Sequence, residues 1–460
     1  MNRVADRWAR VDSAAGGLPL DLVLYAAGAI FAGLTGVYGT LAPHLAWGRV
    51  AVIGYAAATL VAGAQLVVRR RAGTLTAGAR LAGTGARATL TAATFAATAL
   101  VPIVIQAAQR AAGRVDRAQE EVGVVESGGL RLLHTGTPYL GHDAIAALPT
   151  GQRLDAYLPY QPGMALFGLP RAAGVAWWTD ARVWFAVVLA AALVWAVLLV
   201  RRPDGSQDAA LVRAVQAATV FPVCALTLAT GGDDLPVLGL CLLALAFAAR
   251  DRLTASGVTV GVAGALKLFA WPVALVLLAY AATRGRRVAG RYALGAVGLP
   301  VIALVPAFLV DRDAAVENVV RFPLGHGLVR SPAASPFPGH LIADHLPGGG
   351  AIATGLLVLA AVAIGFWLVR RPPRNAAEAA AVSASGLLAA ILLIPSTRFG
   401  YLLYPVAYGC WAAALRPMPA DVAALPTEAV AVPAERGAAD EPLAPEAVAR
   451  DPVVPEAGVG

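Results

Sequence analysis

Residues 183–202 read VWFAVVLAAALVWAVLLVRR, eighteen apolar side chains closed by two arginines. A core helix of a water-soluble domain would keep a polar stripe at helical spacing. None is present, and a membrane-crossing helix needs about 20 mostly apolar residues. Stretches of the same kind recur at 18–42, 46–68, 89–108, 183–200, 211–230 and 234–249. Others follow at 253–268, 270–283, 292–310, 351–369, 376–395 and 399–415. Residues 253–283 are long for one span and Trp271-Pro272 offers a break, so they count as two. The expectation is an all-α polytopic membrane protein of about twelve transmembrane helices.

Composition agrees. Of the 460 residues, 58% are hydrophobic and 14% charged. Soluble domains carry about 45–50% apolar and about 25% charged residues, so a cytosolic enzyme and a disordered chain are excluded. Lys267 is the only lysine among 36 basic residues. With the high Ala and Gly content, this points to a high-GC bacterial genome. Cys224, Cys241 and Cys410 lie in apolar runs without metal or redox spacing, and read as small buried residues. No cleavable signal peptide is visible.

Arginine placement orients the spans. With the N-terminus in the cytoplasm, alternation puts Arg69, Arg70, Arg71, Arg201, Arg202, Arg250, Arg252, Arg284, Arg286, Arg287, Arg370, Arg371 and Arg374 inside, as the positive-inside rule asks. All six histidines then lie outside. The expected organisation is a cytoplasmic N-terminus 1–17, two spans and a basic loop over 18–88, a membrane core over 89–415 and a cytoplasmic tail 416–460. Both termini face the cytoplasm and the membrane is the inner one. The tail is acidic and proline-rich, without apolar periodicity, and is expected to be disordered. Two outer segments are long, at about 109–181 and 311–350. Loops beyond about 12–15 residues are usually functional or disordered. The first is too rich in Leu, Val, Tyr and Trp for disorder; short amphipathic helices are expected near 141–148 and 162–176.

Glycine loops for phosphate, HExxH, CxxC and GxSxG are absent. No cofactor and no metal-ligand set is expected. Nucleic acid is excluded as a partner, because topology and lipid headgroups account for the arginines. The polar residues that remain gather on the outer side. Asp116, Glu120, Glu121 and Glu126 follow the third span, where a carboxylate could act as a general base, or Arg117 and Glu121 could simply pair at a helix end. Tyr139, Tyr157 and Tyr160 sit in proline-rich contexts that suit either loop anchoring or stacking on a sugar. Lys267 lies about 21 Å up its helix, counted at 1.5 Å per residue. An intramembrane cation is a functional candidate, with a lipid-linked phosphate as partner and Asp233 and Asp234 as the competing structural partners. Arg321, Arg330 and Arg398 could grip phosphate oxygens, and His326 could be a base or a phosphate ligand.

These elements resemble glycosyltransferase family 87, the polyprenol-phosphate-mannose-dependent mannosyltransferases of actinobacteria, with the C-type glycosyltransferase fold. The family carries D-x-x-V-Y in its first long outer loop, with a tyrosine about 18 residues later; here Glu121 and Tyr139 hold those places. Tyr157-Leu158-Pro159-Tyr160-Gln161-Pro162 resembles the family's Y-x-Y-P-P element. The run from Gly231-Gly232-Asp233-Asp234 to Lys267, and Ser396-Thr397-Arg398-Phe399, resemble two further elements. Glu121 replaces the family aspartate and Val125 the tyrosine, which leaves Asp116 and Glu126 as alternative bases. The resemblance covers roughly 89–415. It implies transfer of a sugar, mannose by analogy, from a polyprenyl-phosphate donor to a lipid or glycan acceptor, by single displacement with inversion. Glu121 or Asp116 would take the acceptor proton, Lys267 and Arg398 (with Arg330 and His326 as further candidates) would hold the phosphate, and Tyr139, Tyr157 and Tyr160 would line the groove. A lipid-linked sugar flippase or a secondary transporter is the alternative.

Overall fold

The computed structural model describes residues 14–72 and 80–417. Expectations for residues 1–13 and for the tail beyond Pro417 lie outside the described residues. Every one of the twelve apolar stretches carries a helix. They are α1 (Leu18–Tyr38), α2 (Ala42–Ala72) and α3 (Thr84–Ala111), followed by α4 (Glu120–Thr135) in the first long connection. Next come α5 (Ala181–Val200), α6 (Asp208–Ala218), α7 (Pro222–Thr230), α8 (Asp234–Ala249) and α9 (Leu253–Leu266). The set closes with α10 (Trp271–Thr283), α11 (Arg286–Val310), α12 (Gly349–Arg370), α13 (Ala376–Leu393) and α14 (Leu403–Ala414). Among the described residues the only β feature is an isolated parallel bridge between Ala334 and Thr397.

Helix length alone does not confirm twelve crossings. Among the described residues, seven helices are long and apolar enough to cross a membrane, or eight if α6 and α7, bent by 44° at a break before Pro222, count as one span. Helices α8, α9, α10 and α14 are shorter. At 1.5 Å per residue, the 14 residues of α9 reach only about 21 Å. The apolar runs do mark the helices, but run length alone cannot show where a helix stops. Here α9 stops at Leu266, just before Lys267, whose backbone turns extended, and α10 begins at Trp271.

Helix α8 is buried along nearly its whole length, as an all-round apolar sequence requires. It packs on α5, α9 and α13. Helices α9 and α11 run in the same direction, with Gly257 beside Tyr292 and Gly264 beside Pro300. Their backbones touch. A Cβ on Gly261 would stand 2.1 Å from the Gly295 carbonyl oxygen, so only glycine fits the crossing, the small-residue packing that membrane helices use in place of a hydrophobic driving force.

The bundle has two chemically distinct ends. At one, Arg202 donates to the Arg416 carbonyl and Arg284 pairs with Asp251. Just inside that end lies a buried network around Asp21. Arg87 binds both of its oxygens, at 2.5 and 3.0 Å; Arg213 lies 2.9 Å away and the Gln216 amide donates at 3.1 Å. This network ties α1 to α3 and α6, and the Tyr55 hydroxyl of α2 donates to the Val220 carbonyl. The long connections gather at the other end.

Gly261→Ala is expected to cost about 1–3 kcal/mol through overpacking. Gly290→Ala, with open space at its Cβ inside α11, is expected to raise the thermal midpoint slightly, since Ala is the better helix former; unfolding in detergent measures both.

Candidate active site

The two long connections are locked together by one short helical segment. Asp311 caps Arg312–Val316 through the Ala314 amide, and the helix runs on to Arg321. This delivers Glu317 and Asn318, both fully buried. Glu317 accepts from the Tyr157 hydroxyl at 2.7 Å and from Arg321 at 3.2 Å, and lies 3.2 Å from His142 Nδ1. Asn318 accepts from the Leu158 amide and donates to the Leu140 carbonyl, each at 2.8 Å. The Tyr157 ring stacks on Phe322, centroids 4.2 Å apart. Burial, with the Glu317 carboxylate it donates to, pushes the Tyr157 hydroxyl up to about 12. Burial works against the charge of Glu317, but Tyr157, Arg321 and His142 hold it below the usual carboxylate range. Segments 139–158 and 311–322 therefore behave as one cover.

Beneath that cover, Gln161 docks on the end of α9. Its amide donates to the Leu266 carbonyl at 3.1 Å, satisfying one of the carbonyls that a helix end leaves open. The chain then turns at Lys267, whose ammonium meets Asp233 at 2.6 Å and Asp234 at 2.7 Å. All three are over nine-tenths buried, and Tyr404 donates to Asp234 at 2.8 Å. The competing structural partners thus hold the lysine. Its ammonium also stands 5.1 Å from the Tyr160 ring centroid and 5.5 Å from that of Tyr401.

On the far side of those rings, Arg398 pairs with Glu121. Glu121 opens the first turn of α4, where a carboxylate suits the helix dipole. Arg398 leaves the end of α13 through the segment that Thr397 bridges to Ala333 and Ser335. The ion pair separates two clefts. The smaller, of about 110 Å³, is lined by Glu120, Asp155, Tyr157, Tyr160 and Tyr401. The larger, of about 860 Å³, runs past Asp233 and Asp234 to an apolar wall of Phe31, Leu41, Val223 and Leu226, with His44 at its side. Burial, then Asp155 and Glu121, raise the carboxyl pKa of Glu120; burial, then Glu121, raise that of Asp155. The smaller cleft is thus an anionic pocket beside a single guanidinium.

Of the residues singled out in the sequence, Glu120, Glu121, Tyr157, Tyr160, Asp233, Asp234 and Arg398 line these clefts, and Lys267 stands behind them on Asp233 and Asp234. The remaining candidates stand elsewhere. Tyr139 is buried behind the site and donates to the Tyr160 carbonyl at 2.8 Å. Asp116 is exposed and paired with Arg114 and Arg117. Arg117 binds Gln109 and Asp116 rather than Glu121. Glu126 is buried, with Arg110 at 3.0 Å, Arg171 at 3.1 Å and the Ala181 amide at 3.3 Å; it fastens α4 to α3 and α5. His326 and Arg330 are exposed and line neither cleft. The sequence does not single out Glu317, Asn318 and Asp155, since polar residues in a long loop carry no periodic signal. Tyr401 lies two residues beyond the element Ser396-Thr397-Arg398-Phe399. Among the described residues, no group of three His, Cys, Asp or Glu side chains is placed to hold a metal ion.

Residues 157–396 match the family described as Glycosyltransferase family 87. The matched stretch includes Tyr157, Tyr160, Lys267, His326 and Arg330, and excludes Asp116, Glu121, Glu126, Tyr139 and Arg398. No curated protein matches the chain. Among solved structures, ArnT from Cupriavidus metallidurans in the apo state is 21% identical, with 73% of this chain and 62% of that chain covered and a TM-score of 0.44. The same enzyme bound to undecaprenyl phosphate gives 19%, 72%, 61% and 0.45. The chain thus spans less than two thirds of the length of those proteins.

Lys267→Met leaves two buried carboxylates without their cation. Breaking a buried pair from one side costs about 3–5 kcal/mol, so a large fall in thermal midpoint is expected. Adding Asp233→Asn and Asp234→Asn to Lys267→Met should recover most of it, since no net charge is then left unpaired; a triple variant no more stable than the single one would contradict this.

Proposed function

This chain belongs to glycosyltransferase family 87, and on that premise we propose that it moves a sugar, mannose by family analogy, from a polyprenyl-phosphate donor to a lipid or glycan acceptor. The observation that carries the reading is the Glu121–Arg398 pair at the junction of the two clefts, with Lys267 behind it. An acceptor hydroxyl reaches Glu121 from the smaller cleft, beneath Tyr157 and Tyr160. The donor lies in the larger cleft, its lipid chain along Phe31, Leu41, Val223 and Leu226 and its phosphate at Arg398. That apolar wall running to a cation suits an amphiphile with one phosphate, and not a water-soluble sugar nucleotide.

As the donor's phosphate engages Arg398, the guanidinium is drawn off Glu121, whose carboxylate is freed to accept the acceptor proton. The acceptor oxygen attacks the anomeric carbon, the bond from that carbon to the phosphate oxygen breaks, and the lipid phosphate leaves with the bonding pair. Arg398 stabilises the charge that develops there. Lys267 offsets one of the two negative charges of Asp233 and Asp234, which line the donor's path. The displacement inverts the anomeric centre. The arginine-rich end faces the cytoplasm, so the clefts open on the outer face of the inner membrane.

The test uses purified protein in detergent with radiolabelled polyprenyl-phosphate mannose and a membrane lipid extract. Wild type is expected to transfer label. Glu121→Gln is expected to lose roughly 10²–10⁴-fold, the usual contribution of a positioned base, and Asp116→Asn to keep full activity. Loss in Asp116→Asn with activity kept in Glu121→Gln would move the base to the exposed acid. Label that never moves, in any variant, would favour a flippase or transporter.

A further inference from the structure

A further cavity lies at the arginine-rich end, away from the two clefts. Helix α12 is thinly packed along its length, with Val358, Leu359, Val362 and Phe366 all exposed. Its last turns stand off α10 and α13 and leave a cavity of about 1320 Å³. The inner wall is apolar, built from Ile364, Trp367, Val382 and Ala389. The hydroxyls on it are already engaged: Ser385 donates to the Ala381 carbonyl and Thr283 to the Tyr280 carbonyl. Water needs two to four polar partners to settle in such a space, and this wall does not offer them.

The rim is cationic. Arg284, Arg370, Arg371 and Arg374 surround the mouth. Arg284 is held by Asp251 and Tyr280, and Arg370 lies over the Phe366 ring at 4.5 Å. The guanidinium groups of Arg371 and Arg374 are exposed and make no ion pair or hydrogen bond among the described residues. Glu378 is the single acid on the rim. Its carboxylate already accepts from the Arg374 amide at 2.8 Å and the Asn375 side chain at 3.3 Å. Along α13, the wall from Glu378 to Ala389 extends about 16 Å, at 1.5 Å per residue. The cavity therefore offers a cationic mouth at the membrane surface and an apolar slot below it.

We propose that this cavity binds one anionic phospholipid, with its phosphate at Arg371 and Arg374 and its acyl chains along Ile364, Trp367 and Val382. Basic pockets between helices on the cytoplasmic side select anionic headgroups for the same reason. The bound lipid completes the packing between α12 and the α10–α13 wall, which the protein alone leaves open. The site is independent of the transfer chemistry, since no residue of the two clefts lines it.

Native mass spectrometry of the full chain in detergent tests this, with phosphatidylglycerol, phosphatidylcholine or inorganic phosphate added separately. Phosphatidylglycerol is expected to remain as a one-to-one adduct, phosphatidylcholine to be shed, and inorganic phosphate neither to bind nor to displace the lipid. R371Q/R374Q removes two exposed charges and is expected to weaken the adduct about 30-fold. Ala389→Phe, which fills the slot and leaves the rim intact, is expected to abolish it. Equal retention of both lipids, a full adduct on R371Q/R374Q, or displacement by inorganic phosphate would overturn the proposal. So would a dimer that forms through this face and excludes lipid.

Discussion

An ammonium group inside a helix bundle must find its counter-charge there, and Lys267 finds two. Asp233 and Asp234 reach it from the start of α8, across the break between α9 and α10. Much of the local architecture follows. The helix must end at Leu266 for the side chain to turn toward α8; the freed carbonyl takes the Gln161 amide; and that contact brings Tyr160 over the ammonium. Isolated burial of any one of these charges would be costly. Together they form a closed set, and Arg398 with Glu121 stands just beyond the aromatic rings that cover it.

The cover over the site rests on the same principle, at lower charge. Glu317 and Asn318 are buried because Tyr157, Leu158 and Leu140 supply their partners. Two segments more than 150 residues apart in sequence are thereby held as one piece. The N-terminal hairpin takes part too. Phe31, Leu41 and His44 form a wall of the larger cleft, although they lie outside the stretch matched to the family. The buried Asp21 network fixes that hairpin to α3 and α6, so the wall has a defined place.

The apolar runs told where helices lie because lipid-facing and core-facing positions are both apolar and leave no ambiguity of period. They did not tell where helices stop. Helix α9 ends at Leu266, just before Lys267, whose ion pairs depend on Asp233 and Asp234, and their approach is a tertiary fact. Helix α4 was not foreseen, because Gly123, Gly128 and Gly129 depress helix propensity in 120–135. The structure explains their presence: a Cβ on Gly129 would stand 2.4 Å from the Gly168 carbonyl carbon, so the helix can press on Pro162–Ala173 only without side chains there. For the candidate site, the quoted elements contain Glu121, Lys267 and Arg398, whose roles are proposals. Asp116 and Glu126 were indistinguishable from Glu121 in sequence, since all three sit within eleven residues. Only the fold separates an exposed acid, a fully bonded acid and one facing a cleft.

The central claim is that donor phosphate binds at the Glu121–Arg398 junction. The most direct measurement is photo-crosslinking with a polyprenyl-phosphate analogue bearing a diazirine beside the phosphate, with the labelled residues mapped by mass spectrometry. Adducts on the segments carrying Asp233, Asp234, Arg398 and Tyr401 are the predicted result. Adducts confined to the exposed loop of His326 and Arg330, or to the arginine-rich end, would contradict the account.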